Sequence, residues 1–137
     1  METTLTILKP DSVKDGNAGG IISMLEDEGF RIRGSKMVHL NRGQAEGFYE
    51  VHRERPFFQS LVSFMTEGPV IAMVLEADQA IERLRDLMGA TDPGKADEGT
   101  VRKRFATNIE RNAIHGSDAP ETAAFEIAYF FSRLEIV

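Results

Sequence analysis

Three segments of the chain show the hydrophobic patterns of β-strands. Two of them alternate apolar and polar positions, and the third is a continuous apolar run of strand length. The predicted strands are Thr4–Leu8, Phe30–Leu40 and Val70–Glu76. Ala106–Ala113 shows neither pattern clearly, and the sequence leaves open whether this segment is a strand or a loop.

Between these strands, apolar residues recur at the spacing of amphipathic helices. The predicted helices are Ile21–Glu28, Phe57–Met65, Gln79–Met88 and Glu121–Phe131, with one more between Asn41 and Pro56 that carries Phe48, Tyr49 and Val51, and a single turn over Thr100–Phe105. Asn41 with Gln44, and Asp118 with Glu121, have the spacing of capping boxes. The predicted loops are Gly16–Gly20 and Thr91–Gly99.

This order of elements predicts an α+β fold in which helices pack on one face of an antiparallel sheet. A doubly wound parallel fold is the competing class, but it needs more strands than the chain offers. The length of 137 residues predicts a single domain over residues 1–137.

The composition limits the classes of partner that the protein can bind and the cellular compartment in which we expect it. The net charge of −6 argues against general binding of nucleic acid through a basic surface. No stretch approaches the roughly 20 apolar residues that span a bilayer, and the first residues lack the pattern of a signal peptide. The chain has no cysteine. We therefore expect a cytoplasmic protein with no membrane partner.

The basic residues indicate an anionic ligand only if the fold brings their side chains together at one site. Arginine outnumbers lysine eleven to five, and arginine forms bidentate pairs with phosphate. The candidates lie at the end of a strand, at a helix end or in a loop: Lys9, Arg55, Arg85 and Arg102. Each one alone is typical of a solvated surface charge.

His115 is the strongest candidate for chemistry among the three histidines. It stands before Gly116 and a predicted helix start, and Asn112 precedes it by three residues. A neutral imidazole can act as a nucleophile, free N–H groups at a helix start attract phosphate, and the glycine is expected to leave the ring open to approach. His39 is instead expected to be partly buried in a strand, and His52 to be a charge at a helix C-terminus.

Other motifs have weaker functional interpretations. Gly16–Gly20 lacks the lysine and hydroxyl of a P-loop and the GxGxxG spacing, so a flexible turn is predicted there. The Phe57–Phe58 pair is typical of a core, although an exposed Phe57 could stack on a base. The sequence offers no GxSxG elbow and no histidine and glutamate with zinc-site spacing, so no metal-ligating residue is predicted.

Five blocks along almost the whole chain resemble the nucleoside diphosphate kinase family. They are Leu8–Asp11, Tyr49 with Arg55–Phe58, Gly68–Val70, Gly99–Arg102 and Asn112–Asp118. The last block resembles the highly specific signature around that family's phosphorylated histidine. The resemblance implies a ferredoxin-like α/β sandwich with a four-stranded antiparallel sheet covered by helices. It also implies a phosphotransferase that passes the γ-phosphate of a nucleoside triphosphate, typically ATP, to a nucleoside diphosphate through a phosphohistidine, by a ping-pong mechanism.

The resemblance further implies roles for individual residues. His115 resembles the nucleophile, Glu126 the carboxylate that orients its ring, and Ser117 the hydroxyl beside it. Lys9, Tyr49, Arg102 and Asn112 resemble the residues that hold the phosphates, the sugar hydroxyl and the transition state. Arg85 and Thr91 resemble those that contact the β-phosphate. At the base, the resemblance implies stacking on Phe57, with Leu61 and Ile109 lining the slot. The resemblance also implies Mg²⁺, bound mainly through the nucleotide phosphates. It further implies a homo-oligomer, for which a tetramer is favoured over a dimer.

Two alternatives come from other functional classes. RNA-recognition domains use a similar sandwich, but they need exposed sheet aromatics in a basic setting, and this chain has neither. A family member could also have lost catalysis and act as a nucleotide-binding scaffold or regulator. The intact set of His115, Lys9, Arg102, Asn112 and Glu126 argues against that alternative.

Overall fold

The computed structural model describes residues 1–137 as seven α-helices and four strands. In chain order these are β1 (Glu2–Leu8), α1 (Pro10–Lys14), α2 (Ala18–Asp27), β2 (Arg31–Val38), α3 (Arg42–Phe48), α4 (Phe58–Met65), β3 (Val70–Ala77), α5 (Ala80–Met88), α6 (Val101–Phe105), β4 (Ile114–Gly116) and α7 (Pro120–Phe130). Short 3₁₀ turns cover Glu50–His52, Pro93–Lys95 and Arg133–Glu135. None of the helices combines the length and the apolar character that a membrane crossing requires.

The four strands form one antiparallel sheet in the order β2-β3-β1-β4, as the predicted fold class requires. In β1, Thr6 lies opposite Met73 of β3 on one side and Gly116 of β4 on the other. A bulge at Arg33 interrupts the register between β2 and β3. The short strand β4 therefore lies at one sheet edge, directly beside the buried strand β1, which ends at Leu8 just before Lys9.

The sheet carries helices on both faces, so the expectation of one covered face is wrong. Successive strand residues point to opposite faces, and Leu5 and Ile7 join a cluster with α3, α4 and α7. Leu8 joins the second cluster, which contains residues of α2, α5 and α6. Both β1 and β3 are buried on both sides. That explains why β3 is a continuous apolar run rather than an alternating one.

Several predicted boundaries shift in the structure. The prediction missed α1, in which Pro10 is the first helical residue, a position that suits its fixed φ and missing N–H. The loop predicted over Gly16–Gly20 is wrong in its second half, because Ala18 already begins α2. The strand predicted over Phe30–Leu40 is shorter at both ends. Ala106–Ala113 contains no strand, and β4 starts only after it.

One of the two predicted capping boxes is present. Asn41 accepts a bond from the Gln44 N–H at 2.8 Å, and the Gln44 side chain accepts from the Asn41 N–H at 2.9 Å. The Asp118–Glu121 box is wrong, because α7 begins at Pro120 and the backbone N–H groups of residues 118 and 119 donate to the Thr122 hydroxyl instead. The Asp118 carboxylate is therefore free to reach Arg85.

Candidate active site

The imidazole of His115 lies on the middle residue of β4 and is hydrogen-bonded to α7. Its Nε2 is 2.8 Å from Glu126 Oε1, and the Ser117 hydroxyl donates to the same oxygen at 2.7 Å. An ionised carboxylate can only accept, so Nε2 carries the proton and Nδ1 keeps its lone pair. For the neutral ring, this arrangement favours the tautomer in which Nδ1 can attack an electrophile.

Neighbouring aromatic side chains fix the tilt of this ring. Phe48 packs edge-on against His115 with 5.4 Å between centroids, and Tyr49 does so at 6.3 Å. On the backbone side, the His115 carbonyl accepts a bond from the Thr6 hydroxyl at 2.8 Å. The imidazole is thus held by hydrogen bonds and by packing, and its side chain is 19% exposed.

Gly116 has a different role from the predicted one. A Cβ at this position would lie 2.6 Å from Met88 Sδ and 3.0 Å from Leu84 Cδ2, both on α5. Because neighbouring strand residues point to opposite faces, that Cβ would point away from the face that carries the imidazole. The glycine allows β4 to lie close against α5, so the expectation that it opens the approach to the ring is wrong.

Lys9 and Asn112 form a buried polar pair beside the histidine. The Lys9 ammonium donates to Asn112 Oδ1 at 2.8 Å, and Asn112 Nδ2 donates to the Ile109 carbonyl at 2.9 Å. Burial lowers the pKa of Lys9 to about 8, and the nearby positive charge of Arg102 acts in the same direction. The ammonium is therefore still charged at pH 7 but weakly hydrated, which strengthens its attraction for an anion.

Arg102 binds three backbone carbonyls around the site. Its guanidinium donates to Asn112 O at 3.3 Å, Gly89 O at 3.0 Å and Ile114 O at 2.9 Å. Burial lowers the pKa of Arg102 to about 10, with the Arg85 charge as a second cause, so it stays cationic at neutral pH. Five N–H groups are available on a guanidinium, which leaves two for a ligand in the cleft.

Two other polar residues face the same cleft. The Tyr49 hydroxyl is buried and has no hydrogen-bond partner in the chain, and burial raises the pKa of Tyr49, with the Glu126 charge as a second cause. Arg85 pairs with Asp118 at 2.7 Å near the surface. Tyr49 and Arg85 both line this cleft, Tyr49 with a buried hydroxyl that has no partner and Arg85 with a charge that is already paired.

The predicted residues converge on one cleft of about 430 Å³. All the predicted site residues line it except Ser117, whose hydroxyl donates to Glu126. The lining includes Lys9, Tyr49, Phe57, Leu61, Arg85, Thr91, Arg102, Ile109, Asn112, His115 and Glu126. Phe57 and Ile109 expose 47% and 61% of their surface. The cleft therefore has a cationic part around Lys9 and Arg102 and an apolar part with an exposed ring.

The structure places Arg55 and His39 differently from what the sequence predicts, and it adds His52 to the cleft. Arg55 does not line the cleft, and His39 is exposed, not partly buried, with its Nε2 2.9 Å from the Thr66 carbonyl. His52 lies at the end of the 3₁₀ turn Glu50–His52, close to the predicted helix end. It also lines the cleft, with 5.6 Å between the centroids of its ring and that of Phe57.

Sequence reasoning missed several residues of the site. No contact to a ligand was predicted for Phe48, Val51, His52, Met88, Glu110 and Thr122, which all line the cleft. Gly116 and Asp118 also line it and had been selected only as part of the Asn112–Asp118 block. Asp11 and Ser12 were missed as well, and both bond to the backbone of Ala113 beside the cleft. Asp11 could have been identified from its place in the Leu8–Asp11 block, two residues after Lys9.

Comparison with known proteins decides the family. The family model described as nucleoside diphosphate kinase matches residues 2–136. The chain belongs to the nucleoside diphosphate kinase family. It is 61% identical over its full length to the nucleoside diphosphate kinase of Desulfosudis oleivorans, covering 99% of that protein. It is 59% identical to the one of Trichlorobacter lovleyi, with the same coverage. The predicted classification as a nucleotide-binding phosphotransferase of this family is confirmed.

Solved structures of the family have the same fold. The nucleoside diphosphate kinase of Aquifex aeolicus superimposes with a TM-score of 0.97 at 48% identity, and the match covers 99% of both chains. A halophilic nucleoside diphosphate kinase from Halobacterium salinarum, solved in complex with CDP, superimposes with a TM-score of 0.95 at 41% identity, covering 99% of this chain and 91% of that one. The predicted ferredoxin-like α+β sandwich is confirmed.

Proposed function

We propose that this nucleoside diphosphate kinase works in two half-reactions through a phosphohistidine at His115. In the first, Nδ1 attacks the γ-phosphorus of a nucleoside triphosphate, the bond to the β–γ bridging oxygen breaks, and the nucleoside diphosphate leaves. In the second, a terminal phosphate oxygen of another nucleoside diphosphate attacks the phosphorus and the N–P bond breaks. The observation that carries this proposal is the Glu126 bond to Nε2, which leaves Nδ1 as the nucleophile.

Glu126 and Ser117 support the nucleophile without taking its proton. The proton on Nε2 stays on the ring throughout, since a neutral imidazole attacks with its other nitrogen. As Nδ1 bonds to phosphorus the ring becomes cationic, and the carboxylate 2.8 Å away stabilises that charge. The Ser117 hydroxyl holds the carboxylate in place by donating to it.

The cationic part of the cleft is the proposed site of the phosphates. Phosphoryl transfer depends mainly on positioning and on stabilising the charge of the phosphate oxygens. Lys9 and the free N–H groups of Arg102 would supply that charge, and Asn112 and Tyr49 would hold the sugar hydroxyl and the transferred group. Arg85 and Thr91 are proposed to contact the β-phosphate, which requires Arg85 to exchange its Asp118 partner for phosphate.

Mg²⁺ is proposed to enter with the nucleotide. The donor set beside His115 is cationic, so it fits phosphate oxygens rather than a bare metal ion, and the phosphates and water would hold Mg²⁺. When bound, the ion neutralises part of the phosphate charge. The residues of the chain bind and orient those phosphates.

The exposed ring of Phe57 supports binding of the base by stacking. Leu61 and Ile109 would complete an apolar slot, and every base has a π-face that such a slot can accept. The Halobacterium salinarum relative was solved with CDP, and we propose that purine and pyrimidine nucleotides bind to this chain in the same cleft.

Replacing Phe57 with alanine should weaken the binding of all nucleotides to a similar degree. Loss of one stacking partner costs about 1–3 kcal/mol per base, or roughly a 5- to 150-fold rise in dissociation constant. Calorimetric titration with ADP, GDP, CDP and dTDP measures the effect, with Phe125→Ala as a control because Phe125 is 50% exposed outside the cleft. A loss confined to one base would show that the slot recognises base edges.

The Michaelis constant for ATP should rise as the pH passes about 8, where Lys9 loses its charge. If only the ammonium form binds phosphate, the rise approaches about tenfold per pH unit. Loss of folding should not cause this rise. The pKa of Lys9 is lower in the folded than in the unfolded state, so between about pH 8 and its ordinary value the unfolded state binds more protons, and this group makes stability increase with pH. A Michaelis constant that stays flat to pH 10 contradicts the assignment.

Three further properties belong to this proposal. A single domain over residues 1–137 is supported by the one sheet that both hydrophobic clusters share. A homo-oligomer is also proposed, with a tetramer favoured over a dimer. Strand β2 at a sheet edge, where Met37 is 61% exposed, supports self-association and does not discriminate between the two. Light scattering measures its mass. Location in the cytoplasm stays a prediction.

Steady-state kinetics test the proposed mechanism. Varying ATP at several fixed GDP concentrations should give parallel double-reciprocal lines, because product leaves before the second substrate binds. Intersecting lines would indicate direct transfer between two bound nucleotides. Nucleotide binding without any formation of GTP would indicate a catalytically silent scaffold.

A further inference from the structure

A strained turn precedes the strand that carries the nucleophile. Ala113 has a φ of +75°, in the left-handed region that costs energy for any residue with a side chain. The Ile114 N–H donates across it to the Asn112 carbonyl at 2.9 Å, so the segment is a γ-turn of the rare form with positive φ. Asn112 is the first residue of this turn, and His115 follows its last residue. Its geometry therefore sets the direction in which both side chains leave the backbone.

The first turn of α1 holds both polar groups of Ala113. The Ala113 N–H donates to Asp11 Oδ2 at 3.1 Å. The Ala113 carbonyl accepts from the Ser12 hydroxyl at 2.8 Å and from the Lys9 backbone N–H at 2.9 Å. Asp11 is 8% exposed and Ser12 1% exposed. Three residues distant in sequence thus hold one strained residue inside the protein.

Burial of the Asp11 carboxylate is energetically unfavourable. Its Oδ1 atom has no hydrogen-bond partner, and burial raises the pKa of Asp11, against the opposing effect of the Ser12 and Ala113 N–H groups. A buried polar atom without a partner is unfavourable. A strained backbone conformation persists only where the surroundings enforce it. The hydrogen bond between the Asp11 carboxylate and the Ala113 N–H helps to hold Ala113 in its strained conformation. Ala113 lies in the segment that joins Asn112 to His115.

We propose that Asp11 is a positioning residue that holds the strained turn at Ala113 and thereby orients His115 and Asn112 in the cleft. The inference rests on the proposed transfer of phosphate through His115. Asp11 acts through the backbone and contacts no substrate. Without its hydrogen bond, Ala113 relaxes towards negative φ and both side chains shift, and a displacement of about 1 Å can slow a reaction roughly 100-fold.

Rapid-quench measurement of phosphohistidine formation tests this inference. At saturating ATP and Mg²⁺, Asp11→Ala should slow phosphorylation of His115 about 100-fold, while its circular dichroism spectrum stays that of the parent. Asp15→Ala should leave the rate unchanged, because Asp15 is exposed at the end of the same helix and its carboxylate makes no bond. Asp11→Asn keeps an oxygen for the Ala113 N–H, so its rate should stay within about threefold of the parent.

A double variant separates positioning from a general loss of stability. Glycine populates positive φ as readily as negative φ, so Asp11→Ala combined with Ala113→Gly should recover about tenfold of the lost rate at saturating ATP. If Asp11→Ala fails to fold, Ser12→Ala removes another bond to the same residue and should slow phosphorylation about tenfold.

The possible outcomes are distinct. A folded Asp11→Ala variant with the parent's rate, or a double variant without recovery, overturns the inference. If Asp11→Asn slows phosphorylation as much as Asp11→Ala does, the inference is also overturned. The negative charge of Asp11 beside Lys9, and not its hydrogen bond to Ala113, would then determine the rate. If the parent chain itself forms no phosphohistidine, the proposed function fails instead.

Discussion

Replacement of His115 with alanine should lower turnover to below about 10⁻⁴ of the parent rate, as removal of an attacking group does in other covalent catalysts. No other histidine can substitute. His39 is exposed and lies outside the cleft, and the structure shows no carboxylate bonded to the ring of His52, which lies beside Phe57. The remaining cations would still bind the phosphates, so the affinity for ATP should change far less than the rate.

The fold should survive this substitution. His115 contributes the bond to Glu126 and edge contacts to two aromatic rings, and Glu126 keeps the Ser117 hydroxyl as a donor. We expect a cost of about 1–2 kcal/mol in the free energy of unfolding. A coupled assay of GTP formation measures turnover, with His39→Ala as a matched control. Turnover within tenfold of the parent would contradict a nucleophilic role.

Replacement of Arg102 with alanine should damage both stability and activity. Its guanidinium binds the carbonyls of Gly89, Asn112 and Ile114, and truncation leaves these acceptors without that donor. Bonds from a charged group to buried acceptors are individually strong, so we expect a loss of about 3 kcal/mol in the free energy of unfolding. The catalytic efficiency should fall roughly 1,000-fold, because a cation that stabilises the transferred charge disappears as well.

Two controls separate the structural and electrostatic contributions of Arg102. Arg104→Ala removes an exposed guanidinium two residues away, which lies over the Phe105 ring, and should change both quantities little. Arg102→Lys keeps the charge but cannot reach three carbonyls at once, so it should remain less stable than the parent. Urea unfolding and steady-state kinetics measure both effects. An Arg102→Ala variant as stable as the parent would show that the contacts to the three carbonyls do not stabilise the fold.

The parts of the fold that the sequence predicts best are those with local signals. The Asn41–Gln44 capping box needs only its own four residues, and its helix begins where predicted. The helix from Ala80 to Met88 ends before Gly89, whose φ of +86° explains the glycine stop. The cleft residues could be predicted as a set only from the resemblance to one family. Lys9, Tyr49, Phe57, Arg102, Asn112 and His115 lie in the blocks that carry this resemblance, whereas Leu61, Arg85, Thr91, Ile109 and Glu126 lie outside the blocks and have no local signal.

The features that the sequence did not reveal depend on contacts between distant segments. The strained turn at Ala113 is held by Asp11 and Ser12, about a hundred residues earlier in the chain. The need for glycine at position 116 comes from the approach of α5. Asp118 has the spacing of a helix cap but pairs with Arg85. In each case a tertiary contact decides the role of a residue whose local pattern favours another interpretation.

The central claim is that phosphate passes through His115, and transfer of a labelled phosphate tests it most directly. The chain is incubated with γ-labelled ATP and Mg²⁺, separated from nucleotide, and then given unlabelled GDP. We expect a label on His115 that is labile in acid and stable in base, and that moves to GTP on addition of GDP. A chain that forms GTP from ATP and GDP without ever carrying the label would contradict it.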